Sequence, residues 1–178
     1  MVVLVVMGVC GSGKTTVAQE LASRLHCVFR DADEFHSEEN KKKMSSGVPL
    51  TDEDRVPWLL AIHNFIRSLL DKGDKGVVTC SSLKRWYRHL LVTGEVNHKM
   101  EPSQALLHLD VVFVYLKGSA ELIEARLNHR TGHFMPPSLL QSQLDTMEEP
   151  DHSEKHITIA IDRSVENIVA DVLGCICV

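Results

Sequence analysis

The chain has 178 residues, 44% hydrophobic and 24% charged, a composition that suits one α/β domain with its own core. A formal charge of −5 argues against a general nucleic-acid binder, which needs a basic surface, but leaves room for a local basic site. The five cysteines, at 10, 27, 80, 175 and 177, make no disulfide framework and fit a reducing cytoplasm.

Residues 2–7 are apolar without alternation, as expected of a central parallel strand covered on both faces. The run is too short to cross a bilayer and has no basic leader, so neither a membrane span nor a targeting segment is expected. A helix is predicted over 14–25, where Val17, Leu21 and Leu25 recur at i+4 beside Ala18 and Ala22. A short strand at 28–30 ends in Asp31-Ala32-Asp33, and a short helix is expected within 34–46. A longer helix is predicted over 54–71, with Trp58, Leu59, Ile62, Phe65, Ile66, Leu69 and Leu70 on its core face. Pro57 belongs in its first turn and Gly73 at its end.

Strand 76–80 and helix 83–92 follow, then an aperiodic insertion over 93–108. A buried strand at 111–116 leads to a helix from Ser119 to about residue 130. Residues 130–153 carry Gly132, Pro136, Pro137 and Pro150 and are expected to form a mobile lid containing a short helix. Strand 157–161 and a helix from 164 complete the chain. Five strands alternating with helices predict a doubly wound, three-layer α/β fold with a five-stranded parallel sheet and ligands at the strands' carboxyl ends.

Gly8-Val9-Cys10-Gly11-Ser12-Gly13-Lys14-Thr15 matches the phosphate-binding pattern GxxxxGK[ST], with Thr16 next. Its glycines let backbone N–H groups converge on phosphate oxygens, and the following helix directs its positive end at the same anion. Lys14 reaches the β- and γ-phosphates of ATP, and the Thr15 hydroxyl suits Mg²⁺. No Asn-Lys-x-Asp segment for guanine follows a later strand, which favours a small ATP-dependent kinase.

Asp31 and Asp33 lie at the end of the second strand, facing this loop. One can hold the metal, through water, and the other can orient an attacking hydroxyl and take its proton; the alternative for Asp33 is a helix cap. Arg55, Lys84 and Arg88 fall where the ligand crevice should be, and a guanidinium there suggests an acidic substrate. Ser81, His36, His133 and Lys43 are placed beside them. Arg126 and Arg130, spaced i, i+4, lead towards Gly132-His133-Phe134, where lid cations would stabilise the transferring phosphoryl group. The alternative is a surface pair held by Glu121 or Glu124.

Taken together, the glycine loop, Asp31-Ala32-Asp33 with His36, Lys43-Met44, Gly47-x-Pro49-Leu50-x-Asp52-x-Asp54-Arg55-x-Pro57-Trp58, Cys80-Ser81-x-Leu83-Lys84-x-x-Tyr87-Arg88, Gly132-His133-Phe134 and Leu140-x-x-Gln143-Leu144 resemble the gluconokinase family. The resemblance runs through nearly the whole chain. It implies γ-phosphoryl transfer from ATP to the 6-hydroxyl of D-gluconate, dependence on Mg²⁺, and a homodimer. It departs at Cys10, where the family commonly has Ser, and at Arg30, where its strand is usually apolar. Rival readings are a kinase for another hydroxy acid such as shikimate, and a nucleotide-binding regulator without phosphoryl transfer. Cys80-Ser81-Ser82 counts against the former, whose family carries three glycines there.

Overall fold

A computed structural model describes residues 2–96, 110–129 and 137–176. The predicted insertion falls mostly on 97–109 and the start of the lid on 130–136, so Arg130 and His133 lie outside the described residues.

β1 (Val3–Met7) has no solvent exposure at any position. It pairs in parallel with β3 (Gly76–Thr79) on one side and β4 (Val111–Lys117) on the other. β2 (Val28–Asp31) adds to β3, and β5 (His156–Ala160) to β4, giving the order β2-β3-β1-β4-β5.

Alternate side chains of the sheet feed two separate cores, as the two-residue period of a strand requires. Leu4 and Val6 pack with Val17 and Leu21 of α1 (Lys14–Leu25), Ile123 of α5 (Ala120–Asn128), and Ile168 and Val172 of α7 (Val165–Ile176). Val3, Val5 and Met7 pack on the opposite face with Leu59, Ile62 and Ile66 of α3 (Asp52–Lys72) and Leu90 and Leu91 of α4 (Arg85–Thr93). Each fully buried aliphatic side chain contributes roughly 1.5–3 kcal/mol. That two-sided burial accounts for a first strand without a polar position.

Register levels the functional edge. Val6 and Asp31 both pair with Thr79, so β1, β2 and β3 end side by side and their following loops open at one place.

Two boundaries move for local reasons. α3 begins at Asp52, before the expected residue 54, because Thr51 and Asp54 cap each other. The Asp54 N–H donates to Thr51 Oγ1 at 3.1 Å and the Thr51 N–H to Asp54 Oδ2 at 3.0 Å. Pro57 therefore sits in the second turn instead of the first. Arg30 finds its explanation in β2 being an edge strand. Its guanidinium pairs with Glu34 at 3.2 Å and lies 5.5 and 5.7 Å from the Phe35 and Phe65 ring centres.

The lid expectation is also narrowed. α6 (Pro137–Thr146) lies within 130–153, but the segment behind it is fastened to the body. The Glu148 N–H donates to Leu83 O at 2.8 Å, and the Glu148 carboxylate accepts from the Arg85 N–H at 2.6 Å. Lys117 pairs with Glu149, and Arg85 with Asp151.

Candidate active site

The glycine loop runs from the end of β1 into α1. Gly11 and Gly13 have φ of +81° and +93°, a region that favours glycine. A Cβ on Gly11 would also stand 2.8 Å from the Leu127 side chain. Within the loop, Lys14 Nζ donates to Val9 O at 3.0 Å and the Ser12 N–H donates to the same oxygen at 3.2 Å. Burial pulls the Lys14 pKa below its ordinary value, while Cys10, Cys80, Asp33 and Asp31 draw it the other way.

One cavity of about 590 Å³ joins this loop to the end of β2. Cys10, Gly11, Gly13, Lys14, Thr15 and Thr16 line the loop side, and Asp31, Asp33, His36, Arg55, Trp58 and Ser81 the opposite side. Gly8 and Ser12 stand behind the lining, and Ser12 is buried. The Gly8 N–H donates to Ser81 O at 3.3 Å, joining the two sides at their base.

Asp31 does two things at once. Oδ2 accepts from the Thr15 hydroxyl at 3.2 Å, while Oδ1 accepts from the Asp33 N–H at 3.0 Å. Asp31, rather than Asp33, is thus the cap of the short 3₁₀ turn Ala32–Phe35, and Glu34 completes the capping box. Asp33 projects from that turn, solvent-exposed and on the cavity wall. The Trp58 indole N–H holds the turn from beneath, donating to Ala32 O at 2.7 Å. His36 stacks on Trp58 with ring centres 4.3 Å apart and planes within 9°. Its Nδ1 is buried and has no hydrogen-bond partner among the described residues. Burial keeps the His36 pKa below normal against the pull of Asp33, and Arg55 and Lys41 add to the lowering.

The cations expected on the acceptor side separate into two sets. Arg88 does not reach the crevice where it was expected. Its side chain is fully buried, with Nε and Nη2 on the Glu154 carboxylate at 2.6 and 2.8 Å and Nη1 on Ser82 O at 2.9 Å. There it braces the β3–α4 corner, where Ser82 holds the left-handed region at φ +49°. Lys84 and Lys43 do not line the cavity either. The Lys84 ammonium is bound to both oxygens of Asp52 at 2.8 and 3.1 Å, and Tyr87 donates to the same carboxylate at 2.5 Å. Burial raises the Asp52 pKa, but the hydrogen bonds from Lys84 and Tyr87, with the charges of Lys84 and Arg55, together outweigh it, so the carboxyl titrates below its usual range. Lys43 is held by Asp54 at 2.7 Å.

Arg55 does line the cavity. It donates to Leu50 O at 2.6 Å, and the Asp52 carboxylate stands 3.9 Å away, leaving guanidinium donors for a ligand. Arg126 stands near the loop, its Nη1 3.9 Å from where a Gly13 side chain would begin, and its Nη2 donates to Ile161 O.

Sequence reasoning gave Trp58 to the core and assigned Gln143 no role. Trp58 also forms cavity wall, and Gln143, with Leu139, brings α6 to the glycine loop. The i, i+4 spacing of Leu139 and Gln143 was the available signal for a shared face.

Residues 3–150 match the family model described as AAA domain. The chain is 42% identical to the gluconokinase of Arabidopsis thaliana over 174 residues, 96% of this chain and 90% of that one. A sugar kinase structure from Janibacter superposes with a TM-score of 0.84 at 42% identity, covering 99% of this chain and 95% of that one. The gluconokinase structure from Sinorhizobium meliloti gives 0.82 at 38% identity, covering 99% and 91%. Residues 14, 31, 33 and 55 around one cavity, in a fold and sequence shared end to end with these enzymes, make this chain a member of the gluconokinase family.

Proposed function

We propose that the chain transfers the γ-phosphoryl group of ATP to the 6-hydroxyl of D-gluconate, giving 6-phospho-D-gluconate and ADP. One observation carries the reading: the glycine loop, the Asp33 carboxylate and the Arg55 guanidinium line one cavity. The Arg55 guanidinium receives the substrate carboxylate, placing the far end of the polyol towards Asp33. His36, whose buried Nδ1 has no partner among the described residues, bonds a hydroxyl of the polyol, and Ser81 supplies a further polar contact. Lys43, Lys84 and Arg88, already paired, shape this side without touching substrate.

In the transfer, the O6–H bond breaks and its proton passes to the Asp33 carboxylate. A bond forms between O6 and the γ-phosphorus as the γ-phosphorus separates from the bridging oxygen, which leaves on ADP. Gly8, Cys10, Gly11, Ser12, Gly13, Thr15 and Thr16 shape and line the phosphate cradle. Lys14, with Arg126 and Arg130, balances charge on the moving group.

Thr15 Oγ1 and Asp31 Oδ2, 3.2 Å apart, are hard oxygen donors that fit Mg²⁺, which takes few protein ligands and completes its shell with water and phosphate. When bound, Mg²⁺ would neutralise phosphate charge. No group of three or more His, Cys, Asp or Glu side chains that could hold a metal ion occurs among the described residues. A cytoplasmic setting and a homodimer belong to the same reading. The first is supported by free thiols at Cys10, Cys27, Cys80 and Cys175, and sedimentation would test the second. No helix among the described residues is long and apolar enough to cross a membrane.

ADP release should be measured with D-gluconate, other aldonates, shikimate and nucleoside monophosphates. D-Gluconate should be the preferred acceptor; preference for shikimate, or no turnover with any acceptor, would replace this reading with one of its rivals.

A further inference from the structure

We propose that Gln143 is a positioning residue for Lys14, acting through the single peptide group between Val9 and Cys10. Gln143 Oε1 accepts from the Cys10 N–H at 2.7 Å. On the opposite edge of the same peptide plane, Val9 O accepts from Lys14 Nζ at 3.0 Å. A peptide unit is planar and turns as one body, so a rotation that releases one bond releases the other. Hydrogen bonds at both ends of an amide also polarise it in the same sense.

Glycines stand close on both sides of this unit. Gly8 and Gly11 have φ of +142° and +81°, in backbone regions that glycine enters at least cost. Within the loop, Val9 O also accepts from the Ser12 N–H at 3.2 Å, whereas the Cys10 N–H takes its hold from outside the loop, on Gln143. Gln143 is suited to that task because α6 is fixed on either side of it. Leu140 is buried in the core cluster that includes Ile123 and Leu127 of α5, and the Met147 N–H donates back to Gln143 O at 3.0 Å. Glu148, just beyond the helix, is fastened to Leu83 and to the N-terminus of α4 at 2.8 and 2.6 Å.

The consequence is preorganisation. The Lys14 ammonium rests on a fixed carbonyl at the cavity wall before nucleotide arrives, so less freedom is lost when the phosphates claim it. This inference rests on the phosphate-binding role of the loop and does not depend on gluconate as acceptor.

The test is a double-mutant cycle read by calorimetric binding of AMPPNP, a non-hydrolysable ATP analogue. Gln143→Met keeps length and removes the acceptor. It should weaken AMPPNP about 5- to 10-fold when Lys14 is present and less than about twofold in the Lys14→Met background, since coupled residues are non-additive. Equal losses in both backgrounds, or no loss in either, would overturn the proposal. Gln143→Asn, which withdraws the oxygen by one methylene, should show the same non-additivity and serves if the Met variant does not fold. A failure of the gluconate reading would appear separately, as wild-type protein that binds AMPPNP and leaves D-gluconate untouched.

Discussion

The two walls of the cavity are made differently. The nucleotide wall is a glycine loop: Gly11 and Gly13 bring backbone to the cavity, and Lys14 and Thr15 contribute the functional side chains. The acceptor wall is side chains: Asp33, His36, Arg55 and Trp58, each placed by a separate contact. A backbone site is written into residue spacing. A side-chain site depends on which charges are already consumed by neighbours. Of four acceptor-side cations, Arg88, Lys84 and Lys43 are held by Glu154, Asp52 and Asp54, and Arg55 faces the cavity.

The largest expected effect tests that division. Arg88→Met strips the partner from buried Glu154 and should cost about 3–5 kcal/mol of stability in urea unfolding. The folded enzyme should keep its KM for D-gluconate. A stable Arg88→Met protein with a raised KM would put Arg88 back on the acceptor wall.

On the nucleotide wall, Lys14→Met should lower kcat about 10²- to 10³-fold in an ADP-release assay. Asp33→Asn should lower kcat about 10²-fold while ATP affinity stays within about threefold. A proportional loss of both would assign Asp33 to the nucleotide instead of the acceptor.

Arg55→Met should raise the KM for D-gluconate about 10- to 100-fold, since it removes charge-assisted hydrogen bonds. Lys84→Met should change that KM by less than about threefold, because the Lys84 charge is spent on Asp52. Comparable losses in the two variants would erase the distinction between paired and available cations.

The smallest effect concerns pH. His36 has a folded-state pKa below its ordinary 6.5. Above 6.5 neither state protonates it, and its contribution to stability is fully present. As pH falls through 6.5 towards the folded value, the unfolded chain takes the proton first and stability is lost. Thermal melts between pH 7.5 and 5.5 should show a shallower decline for His36→Asn than for wild type; parallel declines would remove His36 from the acid response.

The sequence carried the sheet and the loop because their causes are local. An unbroken apolar run means a strand buried on both faces, and a glycine pattern between strand and helix means a phosphate cradle. Local causes also located α3, where only the reciprocal cap of Thr51 and Asp54 moved its start. The acceptor wall resisted because its determinants are distant in sequence. Arg88 meets Glu154 66 residues away, and Lys84 meets Asp52 32 residues away. Arg30 became intelligible only once β2 was an edge strand with aromatic rings beside it.

The central claim is that the acceptor wall selects a polyol by its carboxylate. The direct measurement is kcat/KM for D-gluconate against D-glucitol, which has the same terminal hydroxyl and no carboxylate. A site built around Arg55 should prefer D-gluconate by at least about 10²-fold, with Arg55→Met collapsing most of that ratio. Equal use of the two polyols, or a preference that survives Arg55→Met unchanged, would contradict it.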